Sequence, residues 1–151
     1  MYTYLDHNDP TTGWKAIIKE RGHSMIKVLI AETQPMVRKG LRMRLASEDD
    51  FLVVGEASDG LEVEKLMLET NPDVIILDAD LTKRDGFTTT SSLRDANPEI
   101  GIILLSLRGD PALRAHAKKV GADAFIEKQE GVEKLMETIQ QIRKTKGYQN
   151  A

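Results

Sequence analysis

The sequence predicts an α/β domain built on a doubly wound parallel sheet, and three observations predict it. Short apolar, β-branched runs alternate with segments of helical periodicity along most of the chain. The runs are apolar throughout instead of alternating with polar residues, as in strands covered on both faces. Turn formers and helix stops separate the segments, among them Asn71-Pro72 and Gly121.

Taken in order, Ile26 to Ala31 (IKVLIA) reads as the first strand. Pro35 to Leu45 follows as a helix, with Met36, Val37, Leu41 and Leu45 at helical spacing and Pro35 suited to a first turn. Phe51 to Gly55 is a second strand, and Gly60 to Thr70 a second helix carrying Leu61, Val63, Leu66 and Met67. Asp73 to Leu77 (DVIIL) is a third strand. Phe87 to Ala96 reads as a helix, although the run Thr88-Thr-Thr-Ser-Ser92 gives it weak intrinsic propensity. Ile100 to Leu105 is a fourth strand, Pro111 to Val120 a helix stopped by Gly121, and Asp123 to Ile126 a short fifth strand. Val132 to Ile142 is the last helix, with Leu135, Ile139 and Ile142 on one face.

Strand–helix alternation implies right-handed crossovers and a parallel sheet with helices on both faces. The pattern matches a flavodoxin-like single domain with strand order 2-1-3-4-5, two helices on one face and three on the other. Residues 25–145 make up this domain. Residues 1–24 read as an extension or leader, with Trp14, Ile17 and Ile18 at the spacing of a short helix, and 146–151 as a tail.

Composition bounds the function. Of 151 residues, 40% are hydrophobic and 30% charged, and the net charge is −3, which gives no reason to expect nucleic-acid binding by this chain. No run reaches the roughly 18 apolar residues of a membrane span. The absence of cysteine rules out disulfides and thiolate metal sites and fits a cytoplasmic location. His7, His23 and His116 are not at metal-ligand spacing. The methionines within the domain read as core filler.

In doubly wound sheets the working crevice lies beyond the carboxyl ends of the strands. Glu32 and Thr33 follow the first strand. Asp78, then Asp80 and Asp85-Gly86, follow the third. Ser106 ends the fourth, and Lys128 follows the fifth. Carboxylates, a hydroxyl and a lysine therefore converge at one end of the sheet. Each has a plainer reading taken alone: polar groups commonly follow buried strands, and Glu32 could cap the next helix.

Those residues carry a family resemblance. The stretch Val28-Leu-Ile-Ala-Glu-Thr-Gln-Pro-Met-Val-Arg-Lys-Gly-Leu41 and the stretch Val53-Val-Gly-Glu-Ala-Ser-Asp-Gly60 resemble receiver domains of bacterial two-component response regulators. The similarity is greatest to the branch with a LuxR-type, helix-turn-helix output domain. Pro72 to Asp78, Asp85-Gly86, Ser106, Gly121-Ala122 and Phe125-Ile-Glu-Lys128 continue the match, which covers about Met25 to Arg143. The resemblance implies a phosphorylation switch rather than a turnover enzyme. Asp78 would accept a phosphoryl group from a sensor histidine kinase or phosphotransfer protein. Lys128 and Ser106 would contact phosphoryl oxygens. Mg²⁺ would be held by Glu32, Asp78 and the backbone carbonyl of Asp80, with Thr33 an atypical, weak ligand.

The sequence departs from the family at Thr33, where a second acid is usual, and at Thr82, where a proline is usual. Lys128-Gln129 stands for lysine-proline, and the switch aromatic is Phe125, without a hydroxyl. A degenerate pseudo-receiver, working as an interaction module without phosphotransfer, is the alternative. The residues from Arg143 to Ala151 are too few for a helix-turn-helix unit, so a stand-alone receiver or one parted from its output domain is expected. The face of the fourth helix, fifth strand and fifth helix is the expected surface for a homodimer or an output domain. Its charged residues Arg108, Asp110, Arg114, Lys118 and Lys119 also read as a solvated face.

Overall fold

The structure is a computed structural model that describes residues 25–147. The expectations for residues 1–24, including the Trp14 helix, and for the end of the tail lie outside the described residues. The elements run β1 Ile26–Ala31, α1 Pro35–Ala46, β2 Phe51–Ala57, α2 Gly60–Thr70, β3 Val74–Asp78, α3 Gly86–Ala96, β4 Gly101–Ser106, α4 Pro111–Val120 and β5 Ala124–Glu127, then a 3₁₀ turn Lys128–Glu130 and α5 Val132–Lys146. All neighbouring strands pair in parallel, in the order β2-β1-β3-β4-β5. Fold class and strand order are those the alternation predicts.

Alternate residues of the strands feed two separate cores, as the two-residue period of a strand requires. Val28, Ile30, Ile76 and Ile103 pack under Leu45 of α1 and Leu135, Ile139 and Ile142 of α5. Leu29, Ile75, Leu77 and Leu104 pack under Val63 and Met67 of α2, Leu93 of α3 and Ala117 of α4. Two helices therefore cover one face and three the other. Among the described residues no helix is long and apolar enough to cross a membrane.

Three strands begin one residue later than the apolar runs suggest, and in two cases an aspartate is the reason. The Asp73 carboxylate accepts the Lys27 backbone N–H at 2.8 Å, and the Asp123 carboxylate accepts that of Ile102 at 2.8 Å. These side chains satisfy backbone donors of the neighbouring strand from outside the ladder. The same shift carries Asp78 and Ser106 into the last positions of β3 and β4.

Two readings are corrected. Met36 and Met43 are not core filler: they are 79% and 60% exposed, on the side of α1 opposite Leu45, whereas Met25 and Met67 are buried. Leu61 likewise faces outward from α2, whose inner face is Val63, Met67 and Thr70.

Candidate functional site

The site begins with three strand ends. β1 lies between β2 and β3, so Glu32, the residue after β1, comes beside Asp78, the last residue of β3. Both are buried, Glu32 at 2% and Asp78 at 6% relative exposure. Lys128 opens the turn after β5 and reaches back across β4. Its Nζ donates to Glu32 Oε1 at 2.9 Å and to Asp78 Oδ2 at 2.8 Å. The three side chains form one ion cluster of two carboxylates and one ammonium, with a net charge of −1 when all are ionised.

Burial and the hydrogen bonds within the cluster drive the two proton affinities apart. Burial raises the Glu32 carboxyl above its ordinary range, and the hydrogen-bonded Asp78 beside it raises it further, while Lys128 pulls the other way. Burial also acts to raise Asp78. Its hydrogen bonds with Glu32 and Lys128 and from the Asp80 N–H (2.9 Å to Oδ1) outweigh burial and hold it below the usual range. Lys128 is lowered by burial but raised overall by its two carboxylates. Asp78 is thus the more acidic of the two carboxylates, and Lys128 holds its proton firmly.

The other predicted site residues have mixed fates. Ser106 is buried next to Leu105, the β4 residue paired with Asp78. Its Oγ accepts the Arg108 N–H at 3.1 Å, which leaves the hydroxyl proton to donate. The Asp80 side chain is exposed, and its backbone N–H points back to Asp78. Asp85 is a helix cap: its carboxylate accepts the Thr88 N–H at 3.0 Å and the Thr88 hydroxyl at 2.8 Å. Thr33 Oγ1 accepts the Thr82 backbone N–H at 3.2 Å and lies 3.4 Å from Thr82 Oγ1. Glu32 does not cap α1 as an N-cap residue; Gln34 holds that position, and Glu32 Oε2 accepts the Gln34 N–H at 3.3 Å.

Among the described residues no group of three or more His, Cys, Asp or Glu is arranged to hold a metal ion. The donor set nevertheless fits Mg²⁺ in its usual sparse mode. Two hard carboxylates, Glu32 and Asp78, carry an unbalanced negative charge, and Mg²⁺ commonly takes one or two carboxylates and fills its remaining positions with water and phosphate oxygen.

Two arginines were not anticipated as supports. Arg38 donates to the Glu32 carbonyl at 2.6 Å and lies 3.7 Å from Glu56, fixing the chain where it leaves β1. Arg114 was read only as part of a charged face. Its guanidinium lies 5.1 Å from the centre of the Phe125 ring and 3.2 Å from Glu127 Oε1. In the sequence both look like surface arginines of amphipathic helices. Asp110 of the same face is the N-cap of α4.

The comparisons agree with this geometry. The family model for the response regulator receiver domain matches residues 28–140. The uncharacterized transcriptional regulatory protein YhcZ of Bacillus subtilis (strain 168) is 36% identical over 115 residues, covering 76% of this chain and 54% of its own length. A LuxR-family two-component response regulator from Aurantimonas sp. SI85-9A1 superposes with a TM-score of 0.75 at 26% identity, covering 79% of this chain and 85% of the other. A LuxR-family DNA-binding response regulator from Staphylococcus aureus does so with a TM-score of 0.73 at 28% identity, covering 78% and 98%. The chain spans about half the length of the curated relatives it matches. It belongs to the response regulator receiver domains of two-component systems, with LuxR-family regulators among its relatives and structural neighbours.

Proposed function

We propose that Asp78 accepts a phosphoryl group from the phosphohistidine of a sensor histidine kinase or phosphotransfer protein, and that the domain works as a phosphorylation switch. The observation that carries this reading is Lys128 Nζ placed between Asp78 and Glu32, which keeps a buried aspartate anionic. An Asp78 oxygen attacks phosphorus, the phosphorus–nitrogen bond breaks, and the electron pair returns to the departing imidazole. Lys128 turns to a phosphoryl oxygen as negative charge gathers there, and the free hydroxyl proton of Ser106 serves another. A Mg²⁺ ion held by Glu32, Asp78 and the Asp80 carbonyl supplies further charge neutralisation when bound. With a neutral hydroxyl at Thr33, its affinity is lower than that of a site with two acids after β1, by about 1–3 kcal/mol, the worth of a charge-assisted contact. The domain turns over no substrate. Its output surface is α4, β5 and α5, toward an output domain or a second copy, and it works in the cytoplasm.

Intact-mass measurement after incubation with Mg²⁺ and a small phosphodonor tests the reading. One added phosphoryl group is expected, and Asp78→Asn abolishes it. Asp80→Ala slows transfer if the Asp80 carboxylate assists the cation and speeds it if that carboxylate repels phosphate. No mass increase in a folded sample at saturating Mg²⁺ and donor would turn the reading to an interaction module without phosphotransfer.

A further inference from the structure

The loop after β3 is fastened to the loops after β1 and β2 through the peptide groups of a single residue, Thr82. On one side its N–H donates to Thr33 Oγ1 at 3.2 Å, and the two hydroxyl oxygens lie 3.4 Å apart. Further along the same side its carbonyl accepts the Gly60 N–H at 3.1 Å, at the start of α2 beyond β2. The chain then turns sharply. Lys83 has a φ of 65°, and the Arg84 N–H returns to the same Thr82 carbonyl at 2.7 Å, so the turn closes over two residues around a positive φ. Such a conformation is strained in a residue with a side chain and persists only where neighbours hold it. The neighbours here are Asp59, 3.2 Å from Lys83 Nζ, and the Gly60 carbonyl, which accepts Arg84 Nη2 at 3.1 Å. The fastening to β1 rests on Thr33 and Thr82, the two positions where this chain carries threonine and the resembling family carries an acid and a proline. A proline at 82 has no N–H to give, and an acid at 33 has a charge to offer elsewhere.

We propose that Thr82 is a positioning residue of the acidic site. Its N–H, donated to Thr33 Oγ1, ties the loop after β3 to the end of β1 and commits the oxygen at position 33 to the loop rather than to a cation. Positions 33 and 82 therefore act as a pair, and the residue at 82 decides how much a carboxylate introduced at 33 gains. The part of the proposal that concerns the cation rests on the reading that Glu32 and Asp78 hold Mg²⁺.

Two measurements on the same protein test it. The first is hydrogen exchange of the Thr82 amide by NMR, without metal. Thr33→Val removes the acceptor and speeds exchange by about tenfold, the worth of one hydrogen bond, while Thr33→Ser retains the wild-type rate. Equal rates in wild type and Thr33→Val would overturn the tie. The second is the Mg²⁺ dissociation constant by calorimetry for wild type, Thr33→Asp, Thr82→Pro and the double variant. Thr33→Asp alone tightens binding. In the double variant, where no N–H competes for the carboxylate, binding tightens by about tenfold more than the product of the single effects. Thr82→Val, which keeps the N–H, shows no such excess over Thr33→Asp. An excess below about twofold overturns the pairing. If no variant binds Mg²⁺, the cation reading fails, and the amide exchange rates still decide the tie.

Discussion

Glu32 and Asp78 are carboxylates on adjacent strand ends, sharing one ammonium, and the fold drives their proton affinities apart. The sign of each effect on stability follows. Glu32 is raised, so its contribution is fully present below the ordinary glutamate value and is lost as pH rises through the raised one. Asp78 is lowered, so its contribution is present above the ordinary aspartate value and is lost as pH falls through the lowered one. Near neutral pH Glu32 is therefore the strained member of the pair. Glu32→Gln keeps an oxygen for Lys128 and places an amide donor beside Asp78. In metal-free buffer the variant is expected to be more stable than wild type at about pH 7.5, by at most about 1 kcal/mol after solvent screening. The gain should shrink as pH falls, because wild-type Glu32, its affinity for a proton raised, takes up its own proton on the acid side. Denaturant unfolding at neutral and at acidic pH measures it, and a variant less stable at both would show that the Glu32 charge is needed by Lys128. The identities of these residues were legible in the sequence because each sits at the end of an apolar run. The sharing of one lysine between them was not, because Lys128 is 50 residues from Asp78 and 96 from Glu32 along the chain.

Helix α3 shows how an element can form against its own propensity. Its run of threonine and serine has no intrinsic reason to be helical. Packing and hydrogen bonding override this: Thr89 and Thr90 are fully buried, Thr90 Oγ1 donates to the Gly86 carbonyl at 2.7 Å, and Asp85 caps the first turn. A helix here was legible in the sequence, but the burial of its hydroxyls was not, since threonine is usually exposed. The start of α3 also presses on the site. A Cβ on Gly86 would lie 2.3 Å from the Asp78 carbonyl oxygen and 2.7 Å from Ala79 Cα, both backbone atoms that cannot swing aside. Gly86→Ala should therefore either displace α3 or tilt the peptide after Asp78, at a cost of about 3 kcal/mol, in the range of overpacking. The shift should appear in the amide resonances of Asp78, Ala79 and Asp80. A variant of wild-type stability with those resonances unmoved would mean that the backbone at Gly86 has room for a side chain. The outward placement of Met36 and Met43 belongs to the same scale. A helix with apolar residues on two sides has an ambiguous inner face, and only the position of the sheet decides it.

At the scale of the whole molecule, the two ends of the parallel sheet divide the work. The carboxyl ends hold the acidic cluster, and the amino ends hold a structural staple centred on Arg94. Its guanidinium donates to the carbonyls of Gly121 at 2.8 and 3.0 Å, Pro98 at 2.9 Å and Ile100 at 2.6 Å, and to the Asp123 carboxylate at 2.9 Å. Those groups come from the loop before β4, the C-terminal stop of α4 and the approach to β5. One side chain on α3 thus joins the connections that order the far edge of the sheet. The parallel sheet and its cover on both faces were legible in the sequence because they follow from alternation and crossover handedness, and the strand order because the pattern matches the flavodoxin-like fold. The staple was not, since nothing in the sequence distinguishes Arg94 from a solvated helix arginine. Replacing it with methionine keeps the apolar stem and removes every donor, leaving carbonyls and the Asp123 carboxylate without that partner. Arg94→Met is expected to cost about 2–4 kcal/mol of unfolding free energy, the scale for breaking a multiply bonded, largely buried charge. At temperatures where the variant is still folded, Mg²⁺ affinity and the rate of phosphoryl uptake should remain those of wild type, because the acidic cluster touches none of the stapled segments. Stability lost with the site intact is the expected result. Equal losses of stability and site affinity would mean that the two ends are mechanically coupled through the sheet.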